Sequence, residues 1–344
     1  MRLPEAAAGL TEETSIAIAQ SIQWADVLLP GGTVATSYVV STMLNPPASG
    51  QGASEETISE ETISEETISK ETISKETISK ETISKETIAD GAAPLLLLHG
   101  FDSSLFEFRR LVPLLTTGRR VYAIDLLGFG FCDRTSPAMQ TRQPADTVNP
   151  DLIRQHLAAF CEQVIREPVV LVGASMGGGV AIDFTVSHSE WVQKLVLIDA
   201  VGFAPAPIIG RFMFSPLDKW ATNFLRSPRV RRKISENAYY DKSFVTPDAE
   251  LCASLHLQVP KWPDALIAFT KSRGYGGLAK KIAQVPVPAL VVWGRQDKIL
   301  GTKAAARFER VLPDGKLVWI EACGHVPHLE KAQATAAQIL SFLR

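Results

Sequence analysis

Six short apolar runs, rich in valine, leucine and isoleucine, are spread along the chain after residue 90. They are too short for typical helices and favour strands buried on both faces. The runs occupy residues 94–99, 120–125, 168–173, 194–199, 289–294 and 316–320. Helix-like segments between and after them occupy residues 105–115, 150–165, 176–187, 303–311 and 330–343. This alternation predicts an α/β protein with a mostly parallel central sheet and helices on both faces.

Upstream of these runs the pattern changes twice. Residues 21–29 and 34–42, joined through Pro30-Gly31-Gly32, have the pattern of an antiparallel hairpin at the sheet edge. Residues 56–88 then repeat the pentapeptide Glu-Thr-Ile-Ser-Glu/Lys. A five-residue step rotates about 140° around a helix and changes face on a strand, so its isoleucines form no single buried stripe. We expect a flexible or partly helical surface insertion, and the alternative is an arm that binds a partner.

Composition and charge exclude several classes of protein. The formal net charge of −2 gives no general affinity for nucleic acid. The apolar runs are much shorter than the about 20 residues that a membrane-spanning helix needs. The first twenty residues lack the pattern of a targeting peptide, so the default expectation is a cytoplasmic protein. The cysteines lie far apart, and we expect reduced thiols and no structural metal site; they are Cys132, Cys161, Cys252 and Cys323.

The stretch VVLVGASMGGG at residues 169–179 places one serine among four glycines after an apolar run. The glycine spacing does not fit G-x-G-x-x-G, and the stretch lacks the lysine of a Walker loop. Residues 173–177, Gly-Ala-Ser-Met-Gly, fit the G-x-S-x-G pattern between a strand and a helix. Small residues on either side of the serine permit a sharp turn that leaves its hydroxyl exposed. Ser175 is therefore the candidate nucleophile.

A serine hydroxyl requires a base, and the base requires an orienting carboxylate. Asp297 and His325 each follow a predicted strand, and their order after Ser175 is that of a Ser-Asp-His triad. His328 is the rival base, but a predicted helix follows it directly, and we interpret it as a cap or packing residue.

Two backbone N–H groups are the expected donors to an oxyanion. One belongs to Met176, directly after the candidate nucleophile, and the other to Phe101, in the loop after the strand at residues 94–99. This chemistry needs no cofactor and no metal ion.

Several stretches carry a family resemblance: LLLLHGFDSS, DLLGFGFCD, VGASMGGGVAIDF, VVWGRQDKIL and CGHVPHLEK. Together they resemble the α/β-hydrolase superfamily across residues 94–199 and 286–344. With SRGYGGLAKKI, they most resemble the chlorophyll dephytylases, photosynthetic hydrolases that cleave the phytyl ester of chlorophyll to chlorophyllide and phytol. The chain departs from that family at Phe129, Cys132 and Met176, where tryptophan, serine and leucine are expected. The resemblance implies an α/β-hydrolase fold with a helical cap, a small hydrophobic ester such as chlorophyll as substrate, and a position peripheral to a photosynthetic membrane.

Residues 201–275 occupy the place where this fold inserts its cap. We interpret most of their large apolar side chains as the core of the cap and the others as the lining of a substrate channel. These side chains are Phe203, Phe212, Met213, Phe214, Trp220, Phe224, Tyr239, Tyr240 and Trp262. The basic stretch RSPRVRRK at residues 226–233 is either a solvated face or a site for anionic lipid headgroups.

The predicted organisation has six parts. They are a tail (1–20), an edge hairpin and loop (21–54), the repeat insertion (55–90), the first part of the core (91–200), the cap (201–275) and the second part of the core (276–344). The leading interpretation is a serine hydrolase of an ester with a bulky apolar group. The alternatives are a general carboxylesterase or lipase, a carbon–carbon hydrolase, a perhydrolase and a non-catalytic binding protein.

Overall fold

The computed structural model describes residues 2–40, 92–140, 147–205, 214 and 216–344, and the repeat insertion lies outside them. The strands in this part of the chain are β1 (Gln23–Leu29), β2 (Gly32–Val40), β3 (Leu95–Leu98), β4 (Val121–Ile124), β5 (Val169–Ala174), β6 (Val192–Ile198), β7 (Ala289–Gly294) and β8 (Gly315–Ile320). They form one sheet in the order β1-β2-β4-β3-β5-β6-β7-β8. β2 pairs antiparallel with β1 and β4, and the other neighbours are parallel. The predicted mostly parallel sheet is confirmed.

The helices of the described residues cover the sheet and form the cap. They are α1 (Glu13–Ser21), α2 (Val112–Leu115), α3 (Pro137–Gln140), α4 (Pro150–Phe160), α5 (Met176–Ser187), α6 (Leu217–Arg226), α7 (Pro228–Ala238), α8 (Pro247–Cys252), α9 (Trp262–Lys271), α10 (Ala279–Ile282), α11 (Lys303–Val311), α12 (Pro327–Glu330) and α13 (Ala332–Leu343). Apolar side chains are buried on both faces of the sheet, which explains why β3, β4, β5 and β7 are apolar along their whole length.

The helix predicted at residues 105–115 is divided in two. A 3-10 turn at Leu105–Phe108 precedes α2. Pro113 lies in the first turn of α2, where its missing N–H costs nothing, whereas inside one continuous helix it would remove a hydrogen bond. The break brings Glu107 back toward the end of β3, where its carboxylate accepts a hydrogen bond from Gly100.

The edge hairpin is present, with β1 and β2 paired from Gln23 and Tyr38 to Leu29 and Gly32. The segment predicted as a tail contains α1, and the carboxylate of Asp248 in the cap holds the start of this helix. Asp248 accepts hydrogen bonds from the backbone of Thr11 at 2.6 Å and from the hydroxyl of Ser15 at 2.6 Å.

Parallel pairing of β3, β5, β6, β7 and β8 brings their carboxyl ends to one edge of the sheet. Ligand sites in open α/β sheets lie at this edge. The residues that follow these strands are Gly100, Ser175, Asp199, Asp297 and His325. The topology alone therefore concentrates the chemically active side chains at one place.

Candidate active site

Ser175 stands at the sharp turn between β5 and α5. Its backbone has φ 49° and ψ −116°, a conformation that residues other than glycine rarely adopt. A Cβ atom on Gly173 would lie 2.3 Å from the carbonyl oxygen of Gly177, and a Cβ on Gly177 would lie 2.0 Å from that of Leu98. The two glycines therefore let strand and helix approach closely while the serine projects from the turn.

Asp297 and His325 come to Ser175 from the loops after β7 and β8. Nε2 of His325 lies 3.0 Å from Oγ of Ser175, and its Nδ1 lies 3.0 Å from Oδ2 of Asp297. The structure thus brings the three predicted side chains into one continuous hydrogen-bonded chain. Both Asp297 and His325 are buried, so water competes little for these bonds.

The carboxylate of Asp297 is held in its charged form. Burial disfavours the charge, but the hydrogen bond and charge of His325 and two backbone N–H groups outweigh burial and lower the pKa of Asp297. The backbone donors are Ile299 at 2.7 Å and Leu300 at 3.1 Å, both to Oδ1. These partners favour the ionised form of Asp297. The ionised carboxylate accepts the hydrogen bond of His325 and orients its imidazole.

Asp199, which the sequence analysis did not single out, lies beside this group. It follows β6 with φ 40°, is fully buried and accepts a hydrogen bond from the backbone of Gly294 at 3.1 Å. Burial and the neighbouring charge of Asp297 raise the pKa of Asp199 well above its usual value. The surroundings of Asp297 therefore favour its ionised form, whereas those of Asp199 oppose ionisation.

Asp199, Asp297 and His325 also place ligand atoms within 4.8 Å of one another, as a metal site would. Nδ1 of His325 is engaged by Asp297, and the other oxygen of Asp297 accepts two backbone N–H groups. We interpret the cluster as a hydrogen-bond network for this reason.

The loop after β3 carries the second predicted oxyanion donor, Phe101. Nδ1 of His99 lies 2.8 Å from the carbonyl oxygen of Gly100, and the backbone N–H of Leu126 donates to Nε2 at 3.1 Å. Nε2 is therefore an acceptor, so Nδ1 carries the proton and donates to Gly100. His99 fixes the loop, and a Cβ on Gly100 would lie 3.4 Å from Cβ of Ser175. The N–H of Met176 is the first of α5 and has no acceptor within the helix.

A buried pair of side chains, Glu107 and His328, supports the same loop from behind. Oε2 of Glu107 accepts the N–H of Gly100 at 2.8 Å, and Oε1 lies 3.0 Å from Nε2 of His328. Burial opposes the charge of Glu107, but the hydrogen bond with His328 and the N–H of Gly100 lower its pKa to about 2. His328, the rival base, is thus placed on Glu107 in the structure.

A second buried carboxylate ties the loop to the cap. Asp102, with φ 51°, follows Phe101 directly. It accepts hydrogen bonds from Arg231 at 2.6 Å and Trp262 at 2.7 Å, and Nε2 of His256 lies 3.1 Å away. Burial opposes its charge, but these partners lower the pKa of Asp102. Sequence reasoning missed this network because all three partners lie more than 125 residues away along the chain.

Similarity to known proteins identifies the family of this chain. Residues 95–338 match the Alpha/beta hydrolase family. The chain belongs to this family. Alpha/beta hydrolase domain-containing protein VTE7 of Arabidopsis thaliana is 32% identical over 254 residues, which cover 73% of this chain and 74% of VTE7.

One further relative and one solved structure are also similar to this chain. The 2-hydroxymuconate semialdehyde hydrolase of Pseudomonas sp. strain CF600 is 28% identical over 263 residues, which cover 73% of this chain and 86% of that protein. The structure of a thermophilic esterase from Thermogutta terrifontis is similar with a TM-score of 0.65 at 18% identity, covering 94% of this chain and 98% of the esterase chain. The structural similarity shows the fold.

A cavity of about 400 Å³ lies between the hydrolase core and the cap. Phe101 and Met176, the two residues of the predicted oxyanion donors, form part of its wall. Further apolar lining comes from Val201, Ala221, Leu225, Leu266, Phe269 and Tyr275, and Arg273 is the one cationic residue in the described lining. The cavity therefore suits a long apolar group, and its wall includes Met176, the residue that follows Ser175.

The large apolar side chains of the cap differ in their burial. Tyr239 and Trp262 are buried, which fits the interpretation as cap core. Four others are exposed, so that interpretation is wrong for them: Phe214, Trp220, Phe224 and Tyr240. Phe212 and Met213 lie outside the described residues. Within RSPRVRRK, Arg231 binds Asp102, while Arg229, Arg232 and Lys233 are exposed.

Proposed function

We propose that this hydrolase cleaves a carboxylic ester whose acyl or alcohol part is long and apolar, with the phytyl ester of chlorophyll as the leading substrate. The observation that carries the proposal is the hydrogen-bonded chain from Ser175 through His325 to Asp297, next to an apolar cavity. The resemblance to the chlorophyll dephytylases supports the choice of substrate.

In the proposed mechanism, Ser175 attacks the ester carbonyl while Nε2 of His325 takes the hydroxyl proton. The N–H groups of Phe101 and Met176 stabilise the negative oxygen of the tetrahedral intermediate. His325 then donates the proton to the leaving alcohol, which departs and leaves an acyl-enzyme. Water, deprotonated by His325, releases the acid and restores Ser175. Asp297 holds the imidazole and stabilises its positive charge.

The cavity supports a large apolar substrate. Its volume of about 400 Å³ lies in the range of sites that bury most of a small ligand. Because the donor residues Phe101 and Met176 form part of its wall, an apolar chain in the cavity places its ester group near Ser175. A small polar substrate would lose hydration along most of this wall, where Arg273 is the one cationic residue in the described lining.

A second candidate reaction is hydrolysis of a carbon–carbon bond. The 28% identity to 2-hydroxymuconate semialdehyde hydrolase favours it, and Arg273 on the cavity wall is a partner for a substrate acid group. Product analysis separates the two reactions, since an ester yields an alcohol and a carbon–carbon substrate does not.

The test is release of phytol and chlorophyllide from chlorophyll a in detergent micelles by wild type and by Ser175→Ala. p-Nitrophenyl esters of increasing chain length are measured with both proteins. Chlorophyllide formation that disappears in Ser175→Ala is the expected result. Ser175-dependent turnover of simple esters without chlorophyll cleavage would leave a general esterase or lipase. No turnover of either, with no labelling of Ser175 by a fluorophosphonate, would overturn the proposal.

A further inference from the structure

Helix α6 presents one apolar stripe to two different surroundings. Ala221 and Leu225 line the cavity, whereas Leu217, Trp220 and Phe224 are exposed to solvent. The spacing 217, 220 and 224 places the exposed side chains on one face of the helix. The apolar surface of α6 thus continues from the cavity wall onto the outside of the cap.

The exposed part of this stripe is large. Trp220 is 68% exposed and Phe224 is 52% exposed, and their rings stack at a centroid distance of 5.7 Å. Phe214, just before the helix, is also exposed. We call Phe214, Leu217, Trp220 and Phe224 the α6 patch. Exposing a contiguous apolar surface of this kind to water costs free energy. Such a patch therefore marks an interaction site.

The segment that carries the α6 patch is rich in cations. Residues 216–238 contain six lysines and arginines against two carboxylates, although the whole chain has a net charge of −2. Lys219, Arg226 and Arg229 are exposed, and none forms an ion pair with a carboxylate in the described part of the chain. The charge is therefore available to an anionic partner.

We propose that the α6 patch docks this protein onto a lipid bilayer that carries anionic headgroups. Tryptophan and phenylalanine insert at the boundary of headgroups and acyl chains, and lysine and arginine beside them attract the headgroup charge. No helix in the described ranges is long and apolar enough to cross a bilayer, and the docking we propose needs no such helix.

The docking deepens the proposed function and rests on it, because it names the source of the apolar ester. A substrate dissolved in the bilayer passes along one apolar surface, from the α6 patch to the cavity lined by Ala221 and Leu225, without crossing water. The free-energy cost of transferring an apolar chain through water rises with each CH₂ group that the chain contains.

Binding to vesicles tests the proposal without reference to catalysis. Full-length protein is sedimented with vesicles of phosphatidylcholine alone and with vesicles of equal parts phosphatidylcholine and phosphatidylglycerol. We expect binding to the mixed vesicles that weakens with added salt. Trp220→Ser combined with Phe224→Ser lowers the partition coefficient at least about tenfold. Lys219→Gln combined with Arg229→Gln lowers it only for the mixed vesicles.

Matched variants control for general effects. Leu28→Ser removes a side chain that is 61% exposed on β1, and Lys303→Gln with Lys316→Gln removes two exposed charges elsewhere. Neither variant alters vesicle binding in this proposal. Thermal unfolding and turnover of a water-soluble short ester are measured on every variant, so that a folding defect is distinguished from lost docking. Ser175→Ala binds vesicles as wild type does, which separates failure of docking from failure of the proposed reaction.

The proposal would be overturned if wild-type protein did not bind mixed vesicles. It would also be overturned if the variant Trp220→Ser, Phe224→Ser bound them as wild type does. A third contrary result is a wild-type dimer, detected by light scattering, that becomes a monomer in this variant, with no vesicle binding by either protein. The patch would then be an interface between two copies of the chain.

Discussion

Arg231 of the cap and Asp102 of the core form an ion pair at 2.6 Å, one residue after the predicted oxyanion donor Phe101. The same helix, α7, ends at Ala238, whose carbonyl accepts the N–H of His325 at 2.7 Å. α7 therefore contacts both loops on which the proposed mechanism depends. A displacement of the cap moves the oxyanion donor and the general base together.

Arg231→Gln tests this coupling. The substitution leaves Asp102 with His256 and Trp262 but without its cation, so we expect a loss of about 2 kcal/mol in the free energy of unfolding. We also expect kcat to fall about tenfold, because the oxyanion donor is displaced from the reacting carbonyl. KM should change little, because substrate binding does not depend on that donor. Steady-state kinetics with a p-nitrophenyl ester and urea unfolding measure both effects.

Arg232→Gln is the control for that experiment. Its side chain is 58% exposed and pairs with Glu236 and Glu250. Exposed pairs of this kind contribute about 0.2–1 kcal/mol or less, so its kcat stays near that of wild type. Equal effects of the two substitutions on kcat would mean that activity depends on the charge of α7 and not on the contact between Arg231 and Asp102.

Glu107→Gln tests the buried pair behind the oxyanion loop. The folded pKa of Glu107 is about 2 against an ordinary value of 4.5, so the unfolded state binds more protons between these values. Its stabilisation, about 3 kcal/mol, is fully present above pH 4.5 and is lost as the pH falls toward 2. The difference in unfolding free energy between wild type and variant should therefore shrink on acidification. A difference that stays constant from pH 7 to pH 3 would contradict the assignment.

The sequence was sufficient to predict the part of the site that depends on local pattern. The G-x-S-x-G turn requires small residues beside Ser175, and Asp297 and His325 each follow an apolar strand, so position along the chain was informative. Parallel pairing then brings these strand ends to one edge of the sheet. Asp199 also follows a central strand, and the same rule would have indicated it.

The supporting contacts were not predictable in this way. Glu107 meets His328 across 221 residues, and Asp102 meets Arg231 across 129. Each partner looks like an ordinary surface or loop residue until the loops are packed. The basic stretch at residues 226–233 indicated a charged face, and its pattern gave no sign that Arg231 alone turns inward.

Two single substitutions, Asp199→Asn and Asp297→Asn, are compared to test which carboxyl group carries the charge. Asp199 has a pKa raised well above its ordinary value, and an amide is a close match for a neutral acid, so we expect kcat to fall by no more than about tenfold. Asp297→Asn removes the ionised partner of His325 and should lower kcat about 10⁴-fold. Fluorophosphonate labelling of Ser175 and ester kinetics report both. An equally large loss in Asp199→Asn would show that Asp199 acts as a charged member of the site.

Ala221→Phe tests whether the cavity receives the long apolar chain. Ala221 lies on the cavity wall, and the added ring reduces the space for a chain without touching Ser175. We expect kcat/KM for a long-chain p-nitrophenyl ester to fall at least about tenfold, since each excluded methylene costs about 1–3 kcal/mol of discrimination. The acetate ester should change less than about threefold. Asn223→Phe, on the exposed face of the same helix, is the matched control and should leave the chain-length profile unchanged. If acetate and long-chain esters are affected equally by Ala221→Phe, the cavity does not hold the chain, and the long group of the substrate lies elsewhere.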